Sequence, residues 1–272
     1  MAIAAVVLAL GAVGVVSFAG HQPGDAAHAM PAVTTAFAEG EGVAPLRALA
    51  PLRPAQRATV AKTGPHDHTA PEPHLLVRIP HAMTARAHPA AGARAVGTLV
   101  SSSKYYHVAL TAWVEETAKH GRWGRVALPY TWPHRHGWIP LRGLPHARTF
   151  VEVHVDLSRH RITVTKFGKS LFGARGATGA PSSPTPVGRY FVTDRVPFGS
   201  GSALGSFAFG ISGIQPHLPA GWSGGNQLAI HGTNDPSSIG RSASAGCVRV
   251  SERTLHRLLP LLRLGTPVVI QR

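Results

Sequence analysis

The sequence predicts a mostly β protein with one short helix, in which a small β-barrel precedes a larger β-sandwich. Three observations predict it. Residues 75–144 consist of short apolar runs split by turn residues at close spacing, the pattern of a small all-β unit. From Phe150 onward apolar and polar residues alternate, as in half-buried strands. Only one stretch, residues 251–262, spaces its leucines with a helical period.

The chain divides into four segments. Residues 1–29 begin with "MAIAAVVLALGAVGVVSFAG", an apolar run without a charged side chain. Its length lies between a signal-peptide core and a membrane span. The first basic residue is Arg47, so flanking charge gives no orientation. "AHA" at Ala27–Ala29 offers a small-residue cleavage site. The segment reads as an export signal, either cleaved or kept as a membrane anchor. Residues 30–73 mix Ala, Pro, His and Thr without a sustained apolar period and read as a flexible linker. His66 and His68 in that linker do not make a metal site, and neither a metal nor a cofactor is expected.

Residues 74–147 form the small β unit. "LLVRI", "AVGTLV", "AWVEETA", "GRWGRVALP" and "HGWIPLRGL" read as its strands. Trp113, Trp123, Trp132 and Trp138 lie here and either fill a small core or line a ligand groove. With "GWIPL" near its end, the unit resembles the SH3-like modules of bacterial envelope proteins. If it serves as a tether, it is dispensable for turnover of small soluble substrates.

Residues 148–272 form the larger unit. "FVEVHVD" and "RITVTKFG" pair as a hairpin through "LSRH". "RYFVTD" and "NQLAIHG" are further strands, and "GTPVVIQR" closes the chain as another. In "SERTLHRLLPLL" Ser251 is an N-cap, Leu255, Leu258, Leu259 and Leu262 share a face, and Pro260 ends or kinks the helix.

Charge narrows the partners. Lysine and arginine number 27 against 12 acidic residues, a formal charge of +15, which favours a polyanion. The basic residues are scattered and no nucleic-acid-binding motif is legible. An anionic cell envelope is the expected partner and nucleic acid is not.

Cys247 is the only cysteine and sits in the small-residue run "SASAGCVRV". A lone thiol is either an inert buried side chain or a reactive group. His231 ends an apolar strand upstream, and "GTNDPSSIGRSASAG" joins the two as a loop. An imidazole can take a thiol proton and leave a thiolate–imidazolium pair. On this reading His231 holds Cys247 with a depressed pKa, and Gly246 lets backbone amides turn toward a bound carbonyl.

"HGTN" at His231–Asn234 followed by "SAGCVRV" resembles the signature of the L,D-transpeptidases, a family of peptidoglycan-cross-linking cysteine enzymes. "VEVHVDLSRHRITV", "SPTPVGRY" and "GTPVVI" agree with the same family in order. Ala245 stands where many members carry a second histidine. The resemblance implies an L,D-transpeptidase-type β-sandwich with the SH3-like barrel before it. It implies that Cys247 attacks the L-centre of the third residue of a stem tetrapeptide, with amides of Gly246 and Cys247 holding the oxyanion. D-Ala then leaves, protonated by His231, and the acyl group passes to an amine of another stem. The Gly232 carbonyl orients the His231 ring in this reading, with Asp235 as the alternative. Arg249 either anchors a substrate carboxylate or braces the loop. Ser244, Asn234 and Thr185 border the substrate, and Trp222 lies in a Gly-rich loop over the cleft. Donor and acceptor stem peptides, the anionic wall and carbapenem-type inhibitors are the implied partners, and the exported cell wall the implied location. A non-catalytic wall-binding protein, an L,D-carboxypeptidase and a cysteine peptidase remain as rival readings.

Overall fold

The computed structural model describes residues 71–199 and 201–272. The leader expected at 1–29, most of the linker expected at 30–73, and His66 with His68 lie outside the described residues. Seven strands come first: β1 (His74–Arg78), β2 (Met83–Arg86), β3 (Ala95–Leu99), β4 (Thr111–Ala118), β5 (Trp123–Leu128), β6 (Arg135–Pro140) and β7 (His146–Thr149). They form one antiparallel sheet in the order β3-β2-β6-β5-β4-β1-β7. The ladder runs from β3 at one edge to β7 at the other. The tryptophans divide in their environments: Trp113 is buried in this sheet's core, while Trp132 is 50% exposed.

Nine strands follow: β8 (Val151–Asp156), β9 (Arg161–Lys166), β10 (Lys169–Gly179), β11 (Gly188–Pro197), β12 (Phe207–Ile214), β13 (Gln227–His231), β14 (Ser242–Ser244), β15 (Val248–Val250) and β16 (Pro267–Gln271). Their order is β14-β10-β15-β13-β12-β11-β16-β8-β9, with a further pairing of β10 to β9. The alternation in "VEVHVD" gives β8 a strictly alternating burial, with Val151, Val153 and Val155 inside. β8 and β9 form the antiparallel hairpin. β10 is shared: its first half pairs with β9, its second with β15 and β14.

The α-helix among the described residues, α1 (Glu252–Leu258), is shorter than the sequence pattern suggests. Ser251 Oγ caps it by accepting from Thr254 N. Pro260 has no N–H to donate back to His256, so the regular helix stops before it. Leu255, Leu258 and Leu262 are nevertheless buried together.

β11 lies between two cores, one for each sheet. Neighbouring side chains on a strand point to opposite faces. Tyr190 and Val192 enter the core of the nine-stranded sheet, whereas Phe191 enters that of the seven-stranded one. On β16 Val268 and Ile270 face the first of these cores, and Val269 packs against the second. Around this apolar contact the polar groups pair across the sheets. Glu115, its side chain 3% exposed, lies 2.9 Å from His136 Nδ1, 3.1 Å from Arg125 Nη1 and 3.8 Å from Arg189 Nε. The Arg189 guanidinium sits 4.4 Å from the Trp113 ring centroid, and His134 stacks on Tyr190 at 4.6 Å.

Candidate active site

β13 and β15 lie side by side and parallel, with Ile230 opposite Val248 and His231 opposite Arg249. This pairing is what brings the two halves of the expected motif together. His231 ends β13, and Cys247 immediately precedes β15.

The "HG" pair has a steric reason. A Cβ on Gly232 would collide with the Glu252 carboxylate and crowd the backbone of Gly205. That carboxylate is fixed there by Ser206, which donates from its N–H at 3.1 Å and its Oγ at 2.6 Å. With the backbone so held, the Gly232 carbonyl lies 2.6 Å from His231 Nδ1. Asp235 does not take part: its Oδ1 accepts from Ser237 N and Ser237 Oγ, capping the 3₁₀ turn Pro236–Ser238.

The turn before Cys247 is held from both sides. Gly246 has φ +118°, a conformation that favours glycine, and a Cβ there would strike the Gln215 side chain. Ser244 Oγ accepts from Gly246 N at 3.1 Å and donates to Cys247 O at 2.6 Å. Thr185 Oγ1 donates to Gly246 O at 2.8 Å and accepts from Gly179 N at 2.7 Å. The Gly246 amide thus has a partner in Ser244 Oγ, and the Thr185 hydroxyl bonds two backbone groups while the residue also lines the adjoining groove.

The thiol is half-buried, and Cys247 Sγ lies 3.9 Å from the Gln227 carbonyl. Burial raises the thiol pKa, against smaller lowering effects from the Ala229 backbone and the Arg249 charge. Burial also pushes His231 down to about 4; the Gly232 and Leu204 backbone groups oppose this, and the Arg249 charge reinforces it. Both groups are therefore neutral at pH 7. The depressed thiol pKa expected from sequence is not what the site shows, because burial outweighs the neighbouring charge.

Arg249 stands opposite His231 on β15, and its buried Nε has no hydrogen-bond partner among the described residues. Asn234 is exposed in the loop after His231. Trp222 is 49% exposed, and its Nε1 donates to Gly225 O at 2.6 Å. Beside the turn runs an open groove of about 530 Å³, with Trp132, Thr178, Thr185, Val187, Pro216 and His217 among its walls. The thiol is not on its wall; the groove meets the turn at Thr185. Among the described residues no cluster of three or more His, Cys, Asp or Glu could hold a metal ion.

Sequence reasoning missed Gln215 and Gln227. Gln215 Nε2 donates to Ser183 O and Pro184 O, locking the "SPTP" segment against Gly246. Gln227 Nε2 donates to buried Asp194 Oδ2 at 2.7 Å while its carbonyl faces the thiol. The available signal is position alone: each glutamine borders the loop of residues 216–226, which leaves and rejoins the site through the Gln215 N to Asn226 O bond.

Residues 151–270 match the family model of the YkuD L,D-transpeptidase catalytic domain. The chain is 27% identical over 135 residues to a putative L,D-transpeptidase, YkuD, of Bacillus subtilis, covering 49% of this chain and 74% of that protein. It is 33% identical over 94 residues to the corresponding protein of Bacillus licheniformis, covering 35% of this chain and 49%, about half, of that one. A solved L,D-transpeptidase from Mycobacterium smegmatis is similar at 17% identity with a TM-score of 0.40, over 72% of this chain and 93% of that one.

Proposed function

We propose that the chain is an exported cell-wall L,D-transpeptidase with Cys247 as its nucleophile, a reading supported by the match of residues 151–270 to the L,D-transpeptidase catalytic domain family. The observation that carries this reading is the parallel β13–β15 pairing, which sets His231 and the Cys247 turn on adjacent strand ends.

On this reading each residue has a role. The Gly232 carbonyl keeps a proton on His231 Nδ1, leaving Nε2 as the base. Since thiol and imidazole are both neutral at rest, the thiol proton passes to His231 as Sγ attacks the carbonyl of the third stem residue. The Cys247 N–H would hold the developing oxyanion, the Gly246 N–H being engaged by Ser244 Oγ. The C–N bond to the terminal D-Ala breaks, and His231 returns the proton to the leaving amine. A side-chain amine of a second stem then attacks the thioester, giving a cross-link and restoring the thiol; water in its place gives a tripeptide. The unpartnered Nε of Arg249 is available to a stem carboxylate. Asn234 and Trp222 border the approach, and the groove beside Thr185 accommodates one stem. The first sheet is the SH3-like module on this reading, and the +15 charge suits an anionic wall.

Purified protein incubated with a disaccharide-tetrapeptide and followed by mass spectrometry should yield dimer, tripeptide and free D-Ala, all absent with Cys247→Ala. Turnover by that variant would refute the proposal and favour a non-catalytic wall-binding role. Meropenem should leave a single adduct on the wild-type protein and none on Cys247→Ser.

A further inference from the structure

Far along the chain from the cysteine, the β9–β10 hairpin ends in "KFGK". Its two turn residues, Phe167 and Gly168, have φ of +52° and +71°. Such a turn suits Asn-Gly, and a bulky side chain at its first position is costly. Phe167 is nonetheless there, and it is 47% exposed. Leu171, one strand position beyond Ser170, is 46% exposed. Phe150 backs the tip, its ring centroid 4.3 Å from that of Phe167. Together with Pro71 these side chains line an open groove of about 720 Å³, with Lys166 and Lys169 on its rim.

The two lysines are directly opposed partners across the hairpin. Like charges in that position repel, yet neither has a salt-bridge partner among the described residues. Lys166 Nζ instead lies 5.3 Å from the Phe167 centroid. Glu152 on adjoining β8 is occupied by His74 and His154. Glu72, beside Pro71, is the acid that flanks the groove in sequence. The tip thus combines a strained aromatic, an exposed leucine and two unpaired cations.

We infer that the 166–171 hairpin tip is a docking surface for an anionic lipid bilayer, with Phe167 and Leu171 entering the headgroup–acyl boundary and Lys166 and Lys169 meeting lipid phosphates. Apolar side chains flanked by lysines are what an interface of that chemistry takes up. Charge complementarity selects this occupant: an apolar partner would leave both ammonium groups facing nothing. Pro71, the first described residue, lines this groove as well. The inference does not depend on catalysis.

Because residues 1–20 are themselves apolar, the readout must be local. Full-length protein is mixed with vesicles of phosphatidylcholine, with or without phosphatidylglycerol, and amide hydrogen exchange is followed by mass spectrometry. Exchange at 166–172 should slow with anionic vesicles only. Lys166→Ser with Lys169→Ser should weaken vesicle binding by about 5-fold per lysine. Phe167→Asn should abolish hairpin protection while leaving Tm unchanged or higher, since Asn fits the turn better than Phe. A lower Tm with unchanged protection would make Phe167 merely structural and overturn the inference. So would sedimentation with vesicles without slowed exchange at the tip. Protection already present without lipid would also overturn it; concentration dependence would assign the groove to a second copy, and its absence to residues 1–70.

Discussion

The seven-stranded sheet is built from antiparallel pairs alone, whereas the nine-stranded sheet includes three parallel pairs, β10–β14, β13–β15 and β16–β8. Parallel neighbours need crossover connections, so they bring together residues far apart in sequence. That is where the candidate chemistry lies: β13 and β15 meet only after the chain has passed through a loop, a 3₁₀ turn and β14. The first sheet has no such junction. Its contribution is a wall. It covers the Phe191 and Val269 faces of β11 and β16, which support the strands leading to the site. The sheets therefore differ in role but not in independence, since Phe191 and Val269 of the second sheet complete the core of the first.

Separating the sheets should have the largest effect. Phe191→Ala should destabilise the whole protein by about 3–5 kcal/mol, as for other buried aromatics truncated in a core. Removing residues 71–149 should do more, exposing Phe191, Val269 and the Tyr190 face on which His134 stacks. A tether expected from sequence to be dispensable would thus be required for folding. If residues 150–272 alone melted cooperatively at the wild-type temperature and turned over soluble muropeptide, the contact between the sheets would be energetically idle.

Acid tests the same boundary from the polar side. His134, between the sheets, and His231, in the site, are both held at about 4, each chiefly by burial. The unfolded chain binds protons at these positions near 6.5, the folded one only near 4. Stability should therefore fall as pH drops from about 6.5 to about 4, by up to roughly 3 kcal/mol per histidine. Glu152, lowered to about 2 by the hydrogen bonds of His154 and His74 against the cost of burial, adds its loss only below about pH 4.5. His154, raised chiefly by its hydrogen bond to Glu152, acts oppositely and costs stability as pH rises above about 6.5. Urea midpoints between pH 7 and 4 should show the decline, and His134→Phe, which preserves the stack, should reduce it by about half. A flat profile would mean that neither histidine is buried as described.

How far the sequence revealed this arrangement depended on locality. β8 and β9 were legible because Val151, Val153, Val155, Ile162 and Val164 alternate within one hairpin. β10 was not: "KSLFGARGATG" changes partners midway, so no single period describes it. β12, "FAFGISGI", is buried almost throughout and carries two glycines, which removes both alternation and β propensity. The site divides similarly. Cys247, His231, Gly232 and Ser244 stand out as a spaced motif. Gln215 and Gln227 do not, since their roles come from contacts with Ser183, Pro184 and Asp194 that only folding creates. The raised thiol pKa is hidden for the same reason: desolvation is a property of the assembled strands.

Within the site, Ser244→Ala should be the next largest effect. It strands the Gly246 amide and removes a donor to Cys247 O, costing about 1–3 kcal/mol. Because the turn also positions the nucleophile, kcat should fall more than KM rises. A variant with lowered Tm but wild-type kcat would limit Ser244 to a structural role. Thiol chemistry gives a milder check: iodoacetamide should alkylate Cys247 with an apparent pKa above that of a free cysteine, since burial raises it. A fast phase at lower pH would restore the ion pair expected from sequence.

The smallest effect is expected at the outer contact between the sheets. Lys104 Nζ reaches Asn226 Oδ1 at 3.2 Å, and Tyr105 OH lies 3.3 Å from both that oxygen and Asn226 N. All three bonds are exposed, so removing the hydroxyl in Tyr105→Phe should change stability by no more than about 1 kcal/mol. Asn226, however, closes the base of the 216–225 loop through its carbonyl bond from Gln215 N at 2.7 Å. Both Gln215, which backs Gly246, and Gln227, whose carbonyl faces the thiol, are its immediate neighbours in the site. Loosening Asn226 should therefore disturb how the loop and Trp222 meet substrate more than it disturbs the fold. KM for tetrapeptide should rise a few-fold in Tyr105→Phe, with Tm and the Cys247 alkylation rate near wild type. If KM is unchanged, the first sheet supports the strands beneath the site and has no hold on the loop above it.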